Sequence, residues 1–346
     1  MVSKIKVDEI ESSQAGGNIA LNSAMKLKNY TTAEMNALTG MTAGDTIYNS
    51  NEGTLYVYNG NLWNPMSDST LSFTLNYLVI AGGGGGGSDS NTTGRYGGGG
   101  GGAGGYRSAY NSETSGGGAG SETPLTISSG VSYSITVGSG GAGGTYSSNN
   151  AGSQGNASSI SGTNITTVSS NGGGGGAGSF QAGSTGGSGG GGAEGGTTGY
   201  SGTANQGYAG GDRTGNDING GGGGAGEAGN TDGAKEGGDG VASTITGSSV
   251  IRAGGGGGAL NGNGGAGGGG SNGASGTANT GGGGGGTGNN DSSGAGNGGS
   301  GVVILRYPNS YTITLADGAT STAGEQSSTN NEKYIEIEST GTVSWS

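Results

Sequence analysis

The side chains that could carry out acid–base chemistry in this chain are almost entirely carboxylates. The 346 residues include 23 Asp and Glu but no His and no Cys, which removes most nucleophile–base pairs and zinc sites. Two groups of carboxylates lie close in sequence: Asp212 with Asp217, and Asp232 with Glu236 and Asp239. Glycoside hydrolysis requires two such groups at short range. Acidic residues among Gly and Asn are more often solvated loop residues, so we expect no enzyme, no catalytic residue, no metal ligand and no cofactor.

Aromatic and arginine side chains between the glycine runs are the candidates for binding. Tyr and Arg are frequent hot-spot residues at interfaces, and aromatic faces suit sugar rings. The alternative is that the tyrosines cover the edges of a folded body or fill seams between subunits. The candidate receptor contacts, with Asp212 included as the neighbour of Arg213, are Arg95, Tyr96, Tyr106, Arg107, Tyr110, Phe180, Tyr200, Tyr208, Asp212 and Arg213.

The charge balance disfavours several classes of partner. The formal net charge is −12, and only 11 Lys and Arg are scattered along the chain. Nucleic-acid binding needs basic patches that neutralise phosphate, and a membrane surface is disfavoured by the same shortage. No apolar run approaches the length of a transmembrane helix. We therefore expect no nucleic-acid partner and no insertion into a membrane.

Glycine dominates the composition and defines the folding problem. The chain has 96 Gly, and hydrophobic residues make up only 27%, too few for one conventional core to offset chain entropy. An ordered body must therefore pair its backbone amides with other backbone groups. Composition separates three regions: an N-terminal attachment and β-meander region at 1–66, a glycine-rich region with polar loops at 67–301, and C-terminal β-strands at 302–346.

Runs of consecutive glycine favour a polyproline-II-like helix. This helix has three residues per turn and no internal hydrogen bonds, so its N–H and C=O groups point outward in three directions. Runs without Cβ atoms, such as 82–87 and 281–286, can approach one another closely and form a bundle, with the polar spacers as loops at its ends. The predicted fold class is therefore mostly β, with a polyglycine bundle. A loop-decorated β-sandwich and a flexible linker are the alternatives.

Apolar strands bracket the glycine region, which favours order over a flexible linker. The strand predicted at 71–80 precedes the runs, and the strand at 302–307, the most apolar in the chain, follows them. Pairing of these two strands would close a folded body. Shorter strands are predicted from alternating or apolar segments at 124–129, 131–137, 160–168, 241–246, 250–252, 311–315, 333–338 and 342–345.

The first region contains the signals of a small mixed domain. Thr31 and Glu34 form the capping-box pattern, which predicts a helix ending at Leu38 with Gly40 at C′. A short strand is predicted at 4–10.

A meander of three short strands is predicted at 44–63, where Glu52-Gly53 and Asn59-Gly60 mark the turns. The second is a type I′ signal. Three such strands are marginally stable in isolation, so we expect their apolar faces to meet neighbouring subunits.

Several segments together resemble those of a known group of proteins. The segments 77–87, 132–138 and 301–307 resemble the glycine-rich domain of phage tail-fibre and virion proteins, over about residues 71–307. The opening at 4–10 resembles that of many marine phage structural proteins. The meander is similar to a small module common in phage fibres.

The resemblance implies an elongated, trimeric virion fibre joined to other tail proteins through its N-terminus. The polyglycine-rich tail-tip adhesins of T-even phages, with their variable receptor-binding loops, are the functional analogy, although this chain departs from them in its β-rich flanks. The implied function is a phage tail-fibre adhesin, located in the extracellular virion, that binds a host cell-surface glycan or protein.

Two alternatives to the adhesin remain open. One is a purely structural, self-assembling filament in which the final strands at 334–345 complete a neighbour's sheet head to tail. The other is an ice-binding protein with a regular face, which the variation among the spacers disfavours.

Overall fold

The computed structural model describes residues 27–66, 72–89, 97–146, 150–215, 217–288, 293–328 and 330–346. The predicted strand at 4–10 and the candidates Arg95 and Tyr96 lie outside these residues. The chain divides into two compact units, Met1–Leu71 and Ser72–Ser346. No helix in the described part of the chain is long and apolar enough to cross a membrane.

The described residues are mostly β, with open sheets and one short helix. The first unit contains β1 (Asn29–Tyr30), α1 (Thr32–Asn36), β2 (Thr46–Asn49), β3 (Thr54–Tyr58) and β4 (Trp63–Met66). The second unit contains β5 (Ser72–Ile80), β6 (Tyr106–Ser108), β7 (Leu125–Ser128), β8 (Tyr133–Thr136), β9 (Ser158–Gly162), β10 (Val168–Ser170), β11 (Val241–Ser243), β12 (Val250–Arg252), β13 (Val302–Pro308), β14 (Ile313–Ala316), β15 (Gln326–Ser327), β16 (Glu332–Ile337) and β17 (Gly341–Trp345).

The predicted capping box begins the helix of the first unit. The Thr31 hydroxyl accepts a hydrogen bond from the Glu34 amide at 3.3 Å, and the Glu34 carboxylate accepts one from the Thr31 amide at 2.8 Å. The helix ends earlier than expected, with Ala37 as its C-cap, so Gly40 lies beyond the C′ position.

The predicted meander is formed by β2, β3 and β4, which lie side by side with β1 added in parallel to β2. The type I′ prediction is wrong, because only Gly60 of the Asn59-Gly60 pair has a positive φ. Tyr58 pairs with Trp63, which leaves a four-residue loop. The Asn59 carboxamide oxygen accepts the amides of the third and fourth loop residues, both at 2.9 Å.

Two antiparallel sheets pack face to face in the second unit. One has the order β15-β16-β13-β5-β6, with β7 also paired to β5, and the other has the order β10-β9-β8-β17-β14. Their inner faces form one apolar core that includes Tyr77, Tyr307 and Trp345. The predicted pairing of the strands before and after the glycine region is confirmed, since β5 and β13 are antiparallel neighbours with Ile80 opposite Val302.

The region predicted at 302–346 belongs to this sandwich. It supplies β13, β15 and β16 to one sheet and β14 and β17 to the other, so residue 301 does not separate compact units. The final strands, which the filament alternative would lend to a neighbour's sheet, are paired inside this chain. Within the chain, β17 is paired on both sides, by β8 and β14, and β16 is paired by β13 and β15.

The single strand predicted at 160–168 is two strands. β9 and β10 form an antiparallel hairpin with Ile160 opposite Val168. Asn164, in the connecting turn, has a φ of 61°, a left-handed conformation that interrupts an extended strand.

The glycine segment 82–88 has the hydrogen bonding of a helix with three residues per turn. The amides of residues 82, 85 and 88 donate to segment 150–156, those of 83 and 86 to 296–299, and those of 84 and 87 to 99–102, at 2.8–3.0 Å. Its carbonyls accept with the same period from three further segments, 141–144, 173–179 and 284–287. The segment is thus bonded to six neighbours.

Segment 98–105 is bonded in the same way. Its amides donate in turn to segments 281–287, 171–177 and 220–223, and its carbonyls accept from 84–87, 188–191 and 256–259. The period of three and the outward-facing bonds are those that the polyglycine bundle requires. We call this set of bonded segments the glycine array.

Close approach of the segments excludes a Cβ atom at the closely packed glycine positions of the array. An ideal Cβ on Gly84 would lie 2.1 Å from the carbonyl oxygen of Gly174, and one on Gly101 would lie 2.2 Å from that of Gly84. Alanine occurs at several positions of the bonded segments, including the end at which they meet the sandwich. There Ala103 and Ala225 are buried in a second apolar cluster beside Ile80 and its neighbours.

The array therefore has two ends. At the sheet end, β5, β10 and β13 are directly continuous with glycine segments. At the far end, the segments reverse through polar turns, which include those at 178–183, 193–199, 212–219 and 230–236.

We expect Gly101→Ala to destabilise the second unit severely. The added methyl group overlaps a backbone carbonyl that six-fold pairing holds in place, and overpacking costs about 1–3 kcal/mol or more. The matched control is Gly120→Ala, because no atom lies within 4 Å of its ideal Cβ. The midpoint of thermal unfolding should fall strongly for Gly101→Ala and change little for Gly120→Ala. Equal effects would contradict the packing described.

Amide hydrogen exchange should be slowest in the two six-coordinated segments. Every amide from 82 to 88 and from 98 to 105 is bonded to another segment, so its exchange requires separation of neighbours rather than local fraying. Exchange measured by mass spectrometry should protect these peptides as strongly as β5 and β13. Rapid exchange at 82–88 would rule out a rigid array.

Candidate functional site

Phe180 is the most exposed large apolar side chain at the far end. Its exposed fraction is 66%, and it lies in a turn closed by the Gly178 amide, which donates to the Gln181 carbonyl at 2.9 Å. The amide of Gly195, in the next loop, donates to the Gly178 carbonyl at 3.1 Å. The ring is thus presented on a turn that is tied to a second loop.

Three further predicted residues lie on loops beside this turn. The amide of Tyr200 is bonded to Gly190 at 2.9 Å, and an ideal Cβ on Gly196 would be 2.1 Å from the Tyr200 hydroxyl, so the ring lies along its own loop. The exposed Asp212 accepts the Gly199 amide at 2.8 Å, and the amide of Arg213 donates to the Thr197 carbonyl at 2.7 Å. We call Phe180, Tyr200, Asp212 and Arg213 with their loops the far-end patch.

Tyr208 lies away from the far-end patch. Its backbone is bonded within the array to Gly189 and Gly224. An ideal Cβ on Gly118 would be 2.8 Å from its hydroxyl, which places the ring against a loop of the sheet end. Its half-buried ring fits the alternative interpretation, in which tyrosines cover the edge of the bundle.

The expectation that Tyr106 contacts a receptor is wrong, because the side chain is completely buried in the second apolar cluster. Burial also raises the pKa of its hydroxyl, and the nearby Glu113 adds to the shift. Tyr110 is half-buried, and its ring covers the Arg306 guanidinium at 4.8 Å. Both tyrosines therefore pack within the sandwich end of the unit.

Arg107 forms an ion pair on a polar wall of the sandwich. Its Nε and Nη2 donate to the two oxygens of Glu122 at 2.6 and 2.7 Å, and its Nη1 donates to the Ser169 carbonyl at 3.1 Å. The Tyr77 hydroxyl donates to the same carboxylate at 2.8 Å. The hydrogen bond with Glu122 raises the pKa of Arg107, and burial followed by the bond to Glu122 raises that of Tyr77.

Two grooves share this ion pair. One, of about 670 Å³, is lined by Arg107, Glu122 and small or amide residues at 119–123 and 204–206. The other, of about 360 Å³, extends from the pair to residues 164–168. Because each charge of the pair is neutralised by the other, neither groove has a net charge in its lining, and the smaller one also has apolar walls at Leu125, Ile165 and Val168.

The acidic residues form a different group from the one that the sequence predicted. Carboxylate oxygens of Glu227, Asp232 and Asp239 lie within 4.8 Å of one another, whereas Glu236 accepts a bond from Asn263 at 3.1 Å. Burial raises the pKa of Glu227, and its acidic neighbours add to the shift. The backbone amide of Asp239 donates to Glu227 at 3.2 Å, so the group also fastens the loops that carry it.

Comparison with known proteins identifies a family for this chain. A family model described as a glycine-rich domain matches residues 66–308, from just before β5 to the end of β13. The chain belongs to the glycine-rich domain family. Searches of the curated proteins and of the solved structures gave no match. The matched range of this glycine-rich domain includes the far-end patch and both grooves.

The Arg107–Glu122 pair should show strong energetic coupling. Replacing either residue by Ala leaves the other charge and the Tyr77 hydroxyl in a half-buried site, where a hydrogen bond to a charged group contributes about 1.5–3 kcal/mol. A double-mutant cycle, measured by thermal or chemical unfolding, tests this coupling. The free energy of unfolding should fall much less in the double variant than the sum of its decreases in the two single variants. Additive decreases would show that the two side chains have no appreciable interaction energy.

Proposed function

We propose that this glycine-rich domain protein is a bacteriophage virion fibre protein that binds a host cell-surface receptor through the far-end patch. The resemblance of its segments to phage fibre proteins supports the virion assignment. A trimer, with attachment to other tail proteins through the N-terminus, is part of the same proposal. The receptor class is a glycan or protein of the host surface.

The main support for the proposal is the exposure of Phe180 on a hydrogen-bonded turn at the far end of the array. An aromatic ring exposed to 66% has unsatisfied apolar surface, and such rings serve as anchors at interfaces. Residues beside it, Asp212 and Arg213, add charged groups that would orient a partner. Binding sites are commonly built from loops on a rigid scaffold, and the array is such a scaffold.

The filament alternative requires the final strands to leave the sheets in which they are paired. Among the described residues, β17 is held between β8 and β14 and β16 between β13 and β15, so an exchange with a neighbour would first have to separate these pairs. No described feature favours an unlimited polymer over a closed assembly.

The proposal predicts that Phe180→Ala weakens binding to susceptible cells at least about tenfold, because an anchor of this size contributes 2 kcal/mol or more. Fluorescently labelled full-length protein would be tested against a panel of bacterial strains to find those that retain it. Binding of the variant would then be measured on those strains, together with its ability to block phage adsorption.

Leu62→Ala is the matched control, since Leu62 is an exposed large apolar residue of the first unit. We expect it to bind as the natural protein does. If no strain in the panel retains the protein, or if Phe180→Ala and Leu62→Ala bind equally, the far-end patch is not a receptor site.

A further inference from the structure

The outer face of the five-stranded sheet consists almost entirely of small hydroxyl side chains. Along each strand, alternate residues such as Ile135, Ile160 and Val343 enter the core, and the residues between them point outward. The outward residues are Ser134, Thr136, Ser159, Ser161, Ser169, Thr314, Ala316, Thr342 and Ser344. We call them the hydroxyl face, because all except Ala316 are Ser or Thr and none is charged.

The strand register arranges these hydroxyls in rows. Ser169, Ser159 and Thr136 are direct cross-strand neighbours, and so are Ser161, Ser134 and Thr342 in the next row. Ser344 and Thr314 form a third, shorter row. Neighbours in a row are about 4.7–4.9 Å apart, and rows are about 6.6–6.8 Å apart along the strands.

Nearly all of these hydroxyls are available to an external partner. Thr342 donates to Asp317 at 2.6 Å, at the rim of the face. The hydroxyls of the other residues in the face have no hydrogen-bond partner within the described parts of the chain, and Ser134 and Thr136 are exposed. A hydroxyl both donates and accepts, so the face offers both halves of a hydrogen bond at each position.

We propose that the hydroxyl face binds a neutral polysaccharide. In a chain of net charge −12, the absence of charge from this face removes the attraction that a cationic or anionic polymer would need. The absence of large apolar side chains removes the desolvated core of a protein–protein interface. A partner that is uncharged and covered with hydroxyls has the complementary chemistry.

The smaller groove lies at one edge of this sheet, beside β10. Its lining combines the polar residues Asn164, Thr166 and Thr167 and the self-neutralised pair Arg107–Glu122 with apolar residues, which are Leu125, Ile165 and Val168. A sugar chain that reaches this edge of the sheet would meet hydrogen-bonding groups and apolar contacts there, without net charge.

The expected affinity is weak for one sugar and appreciable for a polymer. A hydrogen bond between neutral groups contributes only about 0.5–1.5 kcal/mol, and the face has no exposed aromatic ring for stacking. Many repeating units held along one chain raise the effective affinity. The natural twist of a sheet also makes the face a poor match for a flat lattice such as ice.

The test is affinity electrophoresis of the full-length protein through gels containing dextran or mannan, which are neutral, or alginate, which is anionic. We expect retardation by at least one neutral polymer, none by alginate, and no competition from glucose or mannose. The variant Ser134→Ala/Thr136→Val/Ser161→Ala removes hydroxyls that have no internal partner. It should weaken retardation roughly tenfold or more while the midpoint of thermal unfolding is preserved.

The control variant is Thr74→Val/Ser327→Ala, which removes two exposed hydroxyls from the six-stranded sheet and should leave retardation unchanged. The inference is overturned if neither neutral polymer retards the protein, if alginate retards it as strongly, or if the triple variant is retarded like the natural chain. Phe180→Ala separates this site from the far-end patch. Loss of retardation in Phe180→Ala but not in the triple variant would place polysaccharide binding in the loops instead.

Discussion

The hydrogen bond between backbone segments that have no Cβ atoms is the interaction on which the second unit depends. Fixing each glycine costs roughly 0.5–1 kcal/mol more than fixing alanine, and no side chain contributes apolar burial in return. Each inter-segment bond contributes a similar net amount, so the array is stable only where nearly every amide and carbonyl is paired. Segments 82–88 and 98–105 reach this condition with six neighbours each.

The sandwich makes such an array possible by fixing the segments in register. β5 and β13, separated by more than two hundred residues, lie side by side and are each continuous with a glycine segment. Charged contacts tie the intervening chain to this frame: buried Arg306 donates to Glu332 at 2.7 Å and to the Ile245 carbonyl at 3.0 Å. Apolar packing in the sandwich thus fixes where the glycine segments begin, and hydrogen bonds between backbones hold these segments together beyond the apolar core.

This arrangement separates stability from surface chemistry. Contacts near 2 Å exclude a Cβ atom at the closely packed glycines of the array, so these positions offer no side chain to a partner, and the surface chemistry lies in the turns and on the outer faces of the sheets. The far-end patch has an exposed aromatic ring and charged neighbours, whereas the hydroxyl face is neutral and regular. The two surfaces therefore differ in chemistry, one offering an aromatic ring and charges and the other only neutral hydroxyls.

The sequence by itself determined the elements whose signals are local. The capping box at Thr31, the meander, the strands that bracket the glycine region and the need for backbone pairing all follow from residue type and short spacing. Only the tertiary structure decided which segments are neighbours, because glycine runs are identical in sequence and differ solely in what they contact. For the same reason, Tyr106 could not be distinguished from an exposed spacer residue, and the final strands could not be seen to pair within their own chain. The hydroxyl face likewise exists only through the register of five strands, since each strand alone contributes no more than an alternating serine or threonine.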